Sequence, residues 1–123
     1  LALSPKVIIF DEATSMLDPK GKKEILGLIQ EIRKQSDGKL TVISITHDVE
    51  EAYTSDYVYV INKGQVAISG TPKQVFSDAE LISSFNLRLP VEMLLINELK
   101  KAGINVPDGS DIKQIGDIIC QSK

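Results

Sequence analysis

A single cysteine, Cys120, and no tryptophan occur among the 123 residues, of which only 5% are aromatic. One thiol excludes an intrachain disulfide and any cysteine-based metal cluster. Long apolar runs are also missing. The longest span four or five residues, as at 7–10 and 57–61, against the ~20 that a helix needs to cross a bilayer. With no run long enough for a signal-peptide core either, direct membrane insertion is not expected, and membrane contact would have to come through partner proteins. Neither sign of charge dominates: 14 basic against 17 acidic residues leave a formal charge of −3. The balance therefore lacks the basic excess with which nucleic-acid binders neutralise phosphates, and no nucleic-acid partner is expected. The local cluster Lys20, Lys22 and Lys23 reads as the solvated face of a helix. A content of 42% hydrophobic and 25% charged residues suits a folded module.

What is present begins with Ile8-Ile9-Phe10-Asp11-Glu12, two adjacent carboxylates at the end of an apolar run. Four apolar residues in a row, Val7 to Phe10, have the pattern of a central parallel strand buried on both faces. Side chains just past the carboxyl end of such a strand face the crevice where open α/β sheets bind ligands. An Asp at that place can hold a hydrated Mg²⁺, which keeps waters and takes one or two carboxylates. A Glu that follows it can orient and deprotonate an attacking water. Taken alone, an acidic pair after a strand is equally a helix N-cap or a solvated turn.

Further along, strands and helices alternate, as in a layer built on a parallel sheet. Strand 7–10 leads to a helix over 19–35, where Ile25, Leu28, Ile29 and Ile32 form a core-facing stripe. Asp18 before Pro19 reads as its N-cap, and Asp37-Gly38 ends it. Residues 40–45 form the next strand, after which Asp48 and Glu51 resemble the start of a short helix with a capping box. Strands 57–61 and 65–69 flank Asn62-Lys63-Gly64, a hairpin turn. From Thr71 onward the chain is helical. Thr71-Pro72-Lys73-Gln74 and Ser77-Asp78-Ala79-Glu80 are helix starts. A later helix carries Val91, Leu94, Leu95, Leu99 and Ala102 and ends at Gly103, and another carries Ile112, Ile115, Ile118 and Ile119. These stripes suit a core or, in part, a docking face.

The order of motifs carries a family resemblance. Residues 7–18, ending Ala13-Thr14-Ser15-Met16-Leu17-Asp18, resemble the Walker B strand and D-loop of ATP-binding-cassette (ABC) ATPases, and Ile45-Thr46-His47-Asp48 resembles their switch-histidine segment. Glu50-Glu51-Ala52, Gly64-Gln65 and Gly70-Thr71-Pro72 continue the likeness to transporter members. The segment from Asn86 to Pro107, with Leu89-Pro90 and Ala102-Gly103-Ile104-Asn105-Val106-Pro107, is similar to the C-terminal extension of energy-coupling-factor ATPases. The fold class implied is α/β: the C-terminal part of a P-loop NTPase (ABC ATPase) fold with mainly parallel strands, plus a small helical extension. Residues 1–76 would form the ATPase part and 77–123 a dimerisation or regulatory part.

On that resemblance ATP and Mg²⁺ are the cofactors. Asp11 would bind Mg²⁺ through water, and Glu12 would be the general base toward the water that attacks the γ-phosphate. His47, the only histidine, would contact that phosphate and steady the water. Ser15 and Asp18 would form the loop that meets a second ATPase subunit across the nucleotide. Identical or paralogous ATPase subunits and transmembrane transporter subunits are the implied partners. The implied location is cytoplasmic, at the inner face of the membrane, in an importer for vitamins or metals.

A phosphate-cradling G-x-x-x-x-G-K-[ST] loop is absent from the sequence. The Gly-Lys pairs Gly21-Lys22 and Gly38-Lys39 are followed by Lys23 and Leu40. A Leu-Ser-Gly-Gly-Gln-like signature and a glutamine loop are absent as well. The family places all three upstream of Walker B, so Leu1-Ala2-Leu3 is expected to be the tail of the helix after the signature, and the natural protein about twice as long. The isolated fragment is expected to be inactive, and a sheet that lacks strands would associate through its edge. Two other classes compete. A phosphoacceptor receiver domain also has an acidic pair after a strand, but strand 40–46 here ends in Thr46-His47. A non-catalytic C-terminal dimerisation or regulatory module is the second.

Overall fold

The computed structural model describes residues 5–107 and 109–121, so the Leu1-Ala2-Leu3 segment lies outside the described residues. The chain divides into two compact units, Leu1–Asp48 and Val49–Lys123.

The first unit is a β-α-β arrangement. Strand β1 (Val7–Asp11) and strand β2 (Thr41–Ile45) pair in parallel, with Val7 opposite Thr41 and Asp11 opposite Ile45. Helix α1 (Pro19–Gln35) makes the crossover. It starts where Asp18 accepts the Gly21 N–H and where the fixed φ of Pro19 already suits a helix. Arg33 and Lys34 in its last turn complement the partial negative charge there. It stops at Ser36, after which Asp37 and Gly38 turn the chain with φ of 50° and 73°.

Strand β1 departs from the expectation of burial on both faces. Ile8, Phe10 and Val42 are half-buried, whereas Val7, Ile9, Ile43 and Ile45 on the other face are exposed, Ile9 at 62%. Successive strand side chains point to opposite faces, and burying both requires two covering layers. The unit's only described helix is α1. The stripe on that helix is also narrower than expected: Ile25, Ile29 and Ile32 are half-buried, but Leu28 falls at its rim and is exposed.

The second unit contains helix α2 (Val49–Tyr53), strands β3 (Val58–Asn62) and β4 (Gln65–Gly70), and helices α3 (Pro72–Val75), α4 (Ala79–Ser84), α5 (Val91–Lys101) and α6 (Ile112–Gln121). The strands form an antiparallel hairpin. Its two-residue loop, Lys63-Gly64, has positive φ at both positions, 49° and 76°, as the hairpin twist demands. Two clusters fill this unit. Val58, Val60, Val75, Phe76 and Ile82 form one, supported by Tyr53, Ile68, Phe85 and Leu89. Ile96, Val106 and Ile115 form the other, with Leu95, Leu99, Ile104, Ile118 and Ile119 around them. Each such side chain stabilises the fold by roughly 1.5–3 kcal/mol on burial. Ile82 lies beyond residue 76, so the hairpin core runs past the 76/77 boundary drawn from the family resemblance, while the compact units meet at 48/49.

Local signals explain the helix starts. Thr71 and Gln74 form the expected reciprocal capping box. For α4 the cap is Asp78, one residue later than the predicted Ser77, and it accepts the Leu81 N–H. A further box joins Asp111 to Gln114. Helix α5 follows Pro90, which makes no side-chain cap bond; the Glu50 carboxylate of α2 accepts the Val91 N–H instead, at 2.8 Å. After α5, Gly103 at φ 83° reverses the chain so that Ile104 and Val106 reach the second cluster.

Candidate active site

The site is built at the carboxyl ends of β1 and β2. Their register aligns Asp11 with Ile45, and the ladder continues one step further: the Glu12 N–H donates to the Ile45 carbonyl at 2.8 Å. At that step the backbone leaves the strand. Glu12 has φ 48°, a left-handed conformation that costs a non-glycine residue roughly 1–2 kcal/mol. The turn that follows is held by its own hydrogen bonds. The Glu12 carbonyl accepts the Ser15 N–H at 3.1 Å and the Ser15 hydroxyl at 2.8 Å, and the Leu17 N–H donates to the Thr14 carbonyl. Thr14 is buried, while its neighbours are exposed.

Two residues past the end of β2, His47 stands beside Glu12, with Nδ1 3.3 Å from Glu12 Oε1. Both side chains are open to solvent. The imidazole can donate a hydrogen bond to the carboxylate through one nitrogen while the other remains available to a ligand. Asp11 is an exposed carboxylate at the same rim. No group of three His, Cys, Asp or Glu side chains among the described residues could hold a metal. A single strand-end carboxylate suits Mg²⁺, which completes its shell with water and phosphate oxygens. It does not suit a metal caged by protein alone.

Ser15 and Asp18 both serve the turn between β1 and α1. The Ser15 hydroxyl is bonded to Glu12, and Asp18 Oδ1 accepts the Gly21 N–H at 2.8 Å. The structure therefore brings Glu12 and His47 together at one rim with Asp11, and places Ser15 and Asp18 along the exposed turn beside them.

Sequence reasoning missed two features here. Lys22, read as part of a solvated lysine face, is instead half-buried, with its ammonium 2.7 Å from Asp48 Oδ2. Lys20 and Lys23 do remain exposed. The left-handed backbone of Glu12 was the second, since no glycine or asparagine marks the turn.

A parallel β-α-β unit thus carries an acidic doublet and a histidine at the carboxyl ends of neighbouring strands, the place where open α/β sheets bind ligands. No protein-family model matches the chain. Curated relatives do. The energy-coupling factor transporter ATP-binding protein EcfA of Pediococcus pentosaceus is 50% identical over 107 residues, 87% of this chain and 38% of its own length. EcfA of Malacoplasma penetrans is 42% identical over 123 residues, 100% of this chain and 42% of its own. Among solved structures, cbiO1 from Clostridium perfringens, part of the ABC transporter complex cbiONQ, is similar with a TM-score of 0.54 and 41% identity, covering 76% of this chain and 37% of that one. Over the part that it spans, the chain is similar to the ATP-binding subunits of ABC transporters, of the energy-coupling-factor type. It spans about two fifths of the length of these curated relatives, 38% and 42%.

Proposed function

We propose that this chain carries the water-activating part of the ATP-hydrolysis site of an energy-coupling-factor importer. Glu12 is the general base: its carboxylate takes the proton of the water that attacks the γ-phosphate, a step for which a positioned base contributes about 10²–10⁴-fold. His47 contacts the γ-phosphate through the imidazole nitrogen that does not face Glu12, and so steadies the water between them. Asp11 holds Mg²⁺ through water, and the ion when bound neutralises phosphate charge. Ser15 and Asp18 meet a second ATPase subunit across the nucleotide, and transmembrane subunits receive the motion. The observation that carries this reading is the 3.3 Å approach of His47 to Glu12 at the ends of paired parallel strands.

Phosphoryl transfer depends mostly on positioning and electrostatic stabilisation, which a phosphate-binding loop and its lysine supply. The 123 residues contain no such loop. Alone they neither bind ATP tightly nor hydrolyse it. Calorimetric titration with Mg²⁺ and ATP tests this, and micromolar binding would overturn it. The catalytic reading is tested by placing the N-terminal part of Pediococcus pentosaceus EcfA before this chain. That ATPase should hydrolyse ATP and lose activity with Glu12→Gln; unchanged activity would leave the alternative, a non-catalytic C-terminal dimerisation or regulatory module of a larger ATPase. Exposed Val91 and Leu94 on α5 and Ile112 on α6, apolar side chains left outside their own core, favour a docking role for residues 77–123.

A further inference from the structure

The contact between His47 and Glu12 does not hold itself in place. The two side chains are 74% and 54% exposed, and a polar contact so open to water contributes little to geometry. The residues on either side of His47 are held much more firmly. The Asp48 N–H donates to Thr46 Oγ1 at 3.0 Å, and Asp48 Oδ2 accepts from Lys22 Nζ at 2.7 Å, with 34% and 27% of the lysine and aspartate side chains exposed.

Lys22 lies one turn into α1, where its N–H donates to the Asp18 carbonyl at 3.0 Å. Asp18 in turn closes the turn that begins at Glu12. Two ties thus hold the segment that follows β2, one to the end of β1 and one to the first turns of α1. At the near end of the turn, the Glu12 N–H is bonded to Ile45; at its far end, Lys22 grips Asp48. His47 sits between the two points of attachment, Ile45 at the end of β2 and Asp48 three residues beyond it. We propose that Lys22 and Asp48 are positioning residues, a brace that sets the backbone of His47 against Glu12 so that the imidazole meets the phosphate in register. Neither touches the reacting atoms. The brace also keeps a carboxylate next to the phosphate site neutralised. This proposal rests on the ATPase reading above.

The test uses the complete ATPase in which the N-terminal part of Pediococcus pentosaceus EcfA precedes this chain. Small displacements of catalytic groups cost up to about 10²-fold, so Lys22→Met and Asp48→Asn should each lower kcat roughly tenfold while KM for ATP stays within about twofold. Because the two act as one unit, the double variant should be no slower than either single variant. Lys22→Arg should recover most of kcat, and Lys23→Met, on an exposed lysine of the same helix, should leave it unchanged. Wild-type kcat in Lys22→Met, losses that multiply in the double variant, or no recovery in Lys22→Arg would each overturn the brace. Should Lys22→Met fail to fold, the charge-exchanged pair Lys22→Asp with Asp48→Lys decides: kcat above that of Lys22→Asp alone supports the proposal, and no recovery overturns it. Glu12→Gln in the same assay separates the two ideas. Full activity there removes the ATPase reading, whereas an inactive Glu12→Gln beside a fully active Lys22→Met removes only the brace.

Discussion

The unit that carries the candidate site and the unit that follows it are stabilised in opposite ways. Among its described residues, Leu1–Asp48 buries only Leu40 and Thr14, and one face of its sheet, with Ile9, Ile43 and Ile45, is open to water. Val49–Lys123 has two clusters in which Phe76, Ile82, Ile96 and Ile115 are almost wholly buried, and its helix starts at α3, α4 and α6 are capped by side chains. The candidate site and the buried apolar clusters are thus separated along the sequence. Backbone pairing and a few polar ties hold the site, whereas apolar burial holds the helical part. An exposed apolar sheet face is also a known route to association, so any self-association of the chain made alone is expected at the site-bearing unit.

The largest expected effect that bears on this contrast is catalytic. In the completed ATPase, His47→Ala should lower kcat by about 10²-fold or more, in the range of a lost positioned group, without moving the thermal transition; a large loss of stability would show that the rim is structural. Next comes packing. Phe76→Ala should destabilise the second unit by about 3–5 kcal/mol, measured by denaturant unfolding, while Ile9→Ala on the open face of β1 should cost well under about 1 kcal/mol. Equal losses would erase the contrast. A smaller effect is expected at a cap: Thr71→Ala removes the acceptor for the Gln74 N–H and should cost about 1 kcal/mol.

The smallest effect concerns pH. Burial, then the nearby carboxylates of Glu92 and Glu50, raise the Tyr53 phenol above its ordinary 10.0. A group whose folded value is raised contributes stability that is complete below the unfolded value and is lost as pH climbs through the folded one. Stability should therefore decline above about pH 10, and Tyr53→Phe should make that decline shallower. A decline of equal slope in the variant would contradict this.

The placement of the acidic doublet and the histidine at the ends of β1 and β2 was legible because each lies in a short contiguous stretch that follows a strand, whereas the left-handed turn at Glu12 was not. The Lys22–Asp48 tie was not, since its members lie 26 residues apart and one of them sits in an ordinary run of lysines. Burial of β1 was overestimated for a different reason. An apolar run states what could be covered, and coverage depends on layers that the run does not encode. On α5 the stripe expected through Val91, Leu94, Leu95 and Leu99 left out Ile96, which is buried, and included Val91 and Leu94, which are exposed; past Gly103 the chain brings Ile104 and Val106 to the cluster of Ile96. The hairpin and the Thr71 cap, specified by local turn and capping chemistry, lie where that chemistry places them.

Single-turnover ATP hydrolysis by the completed ATPase, compared between Glu12→Gln, His47→Ala and the variant carrying both, bears most directly on the shared rim. If the two side chains act on one phosphate and one water, the double variant will be no slower than Glu12→Gln alone. If the two losses multiply instead, Glu12 and His47 work independently and the common site is contradicted.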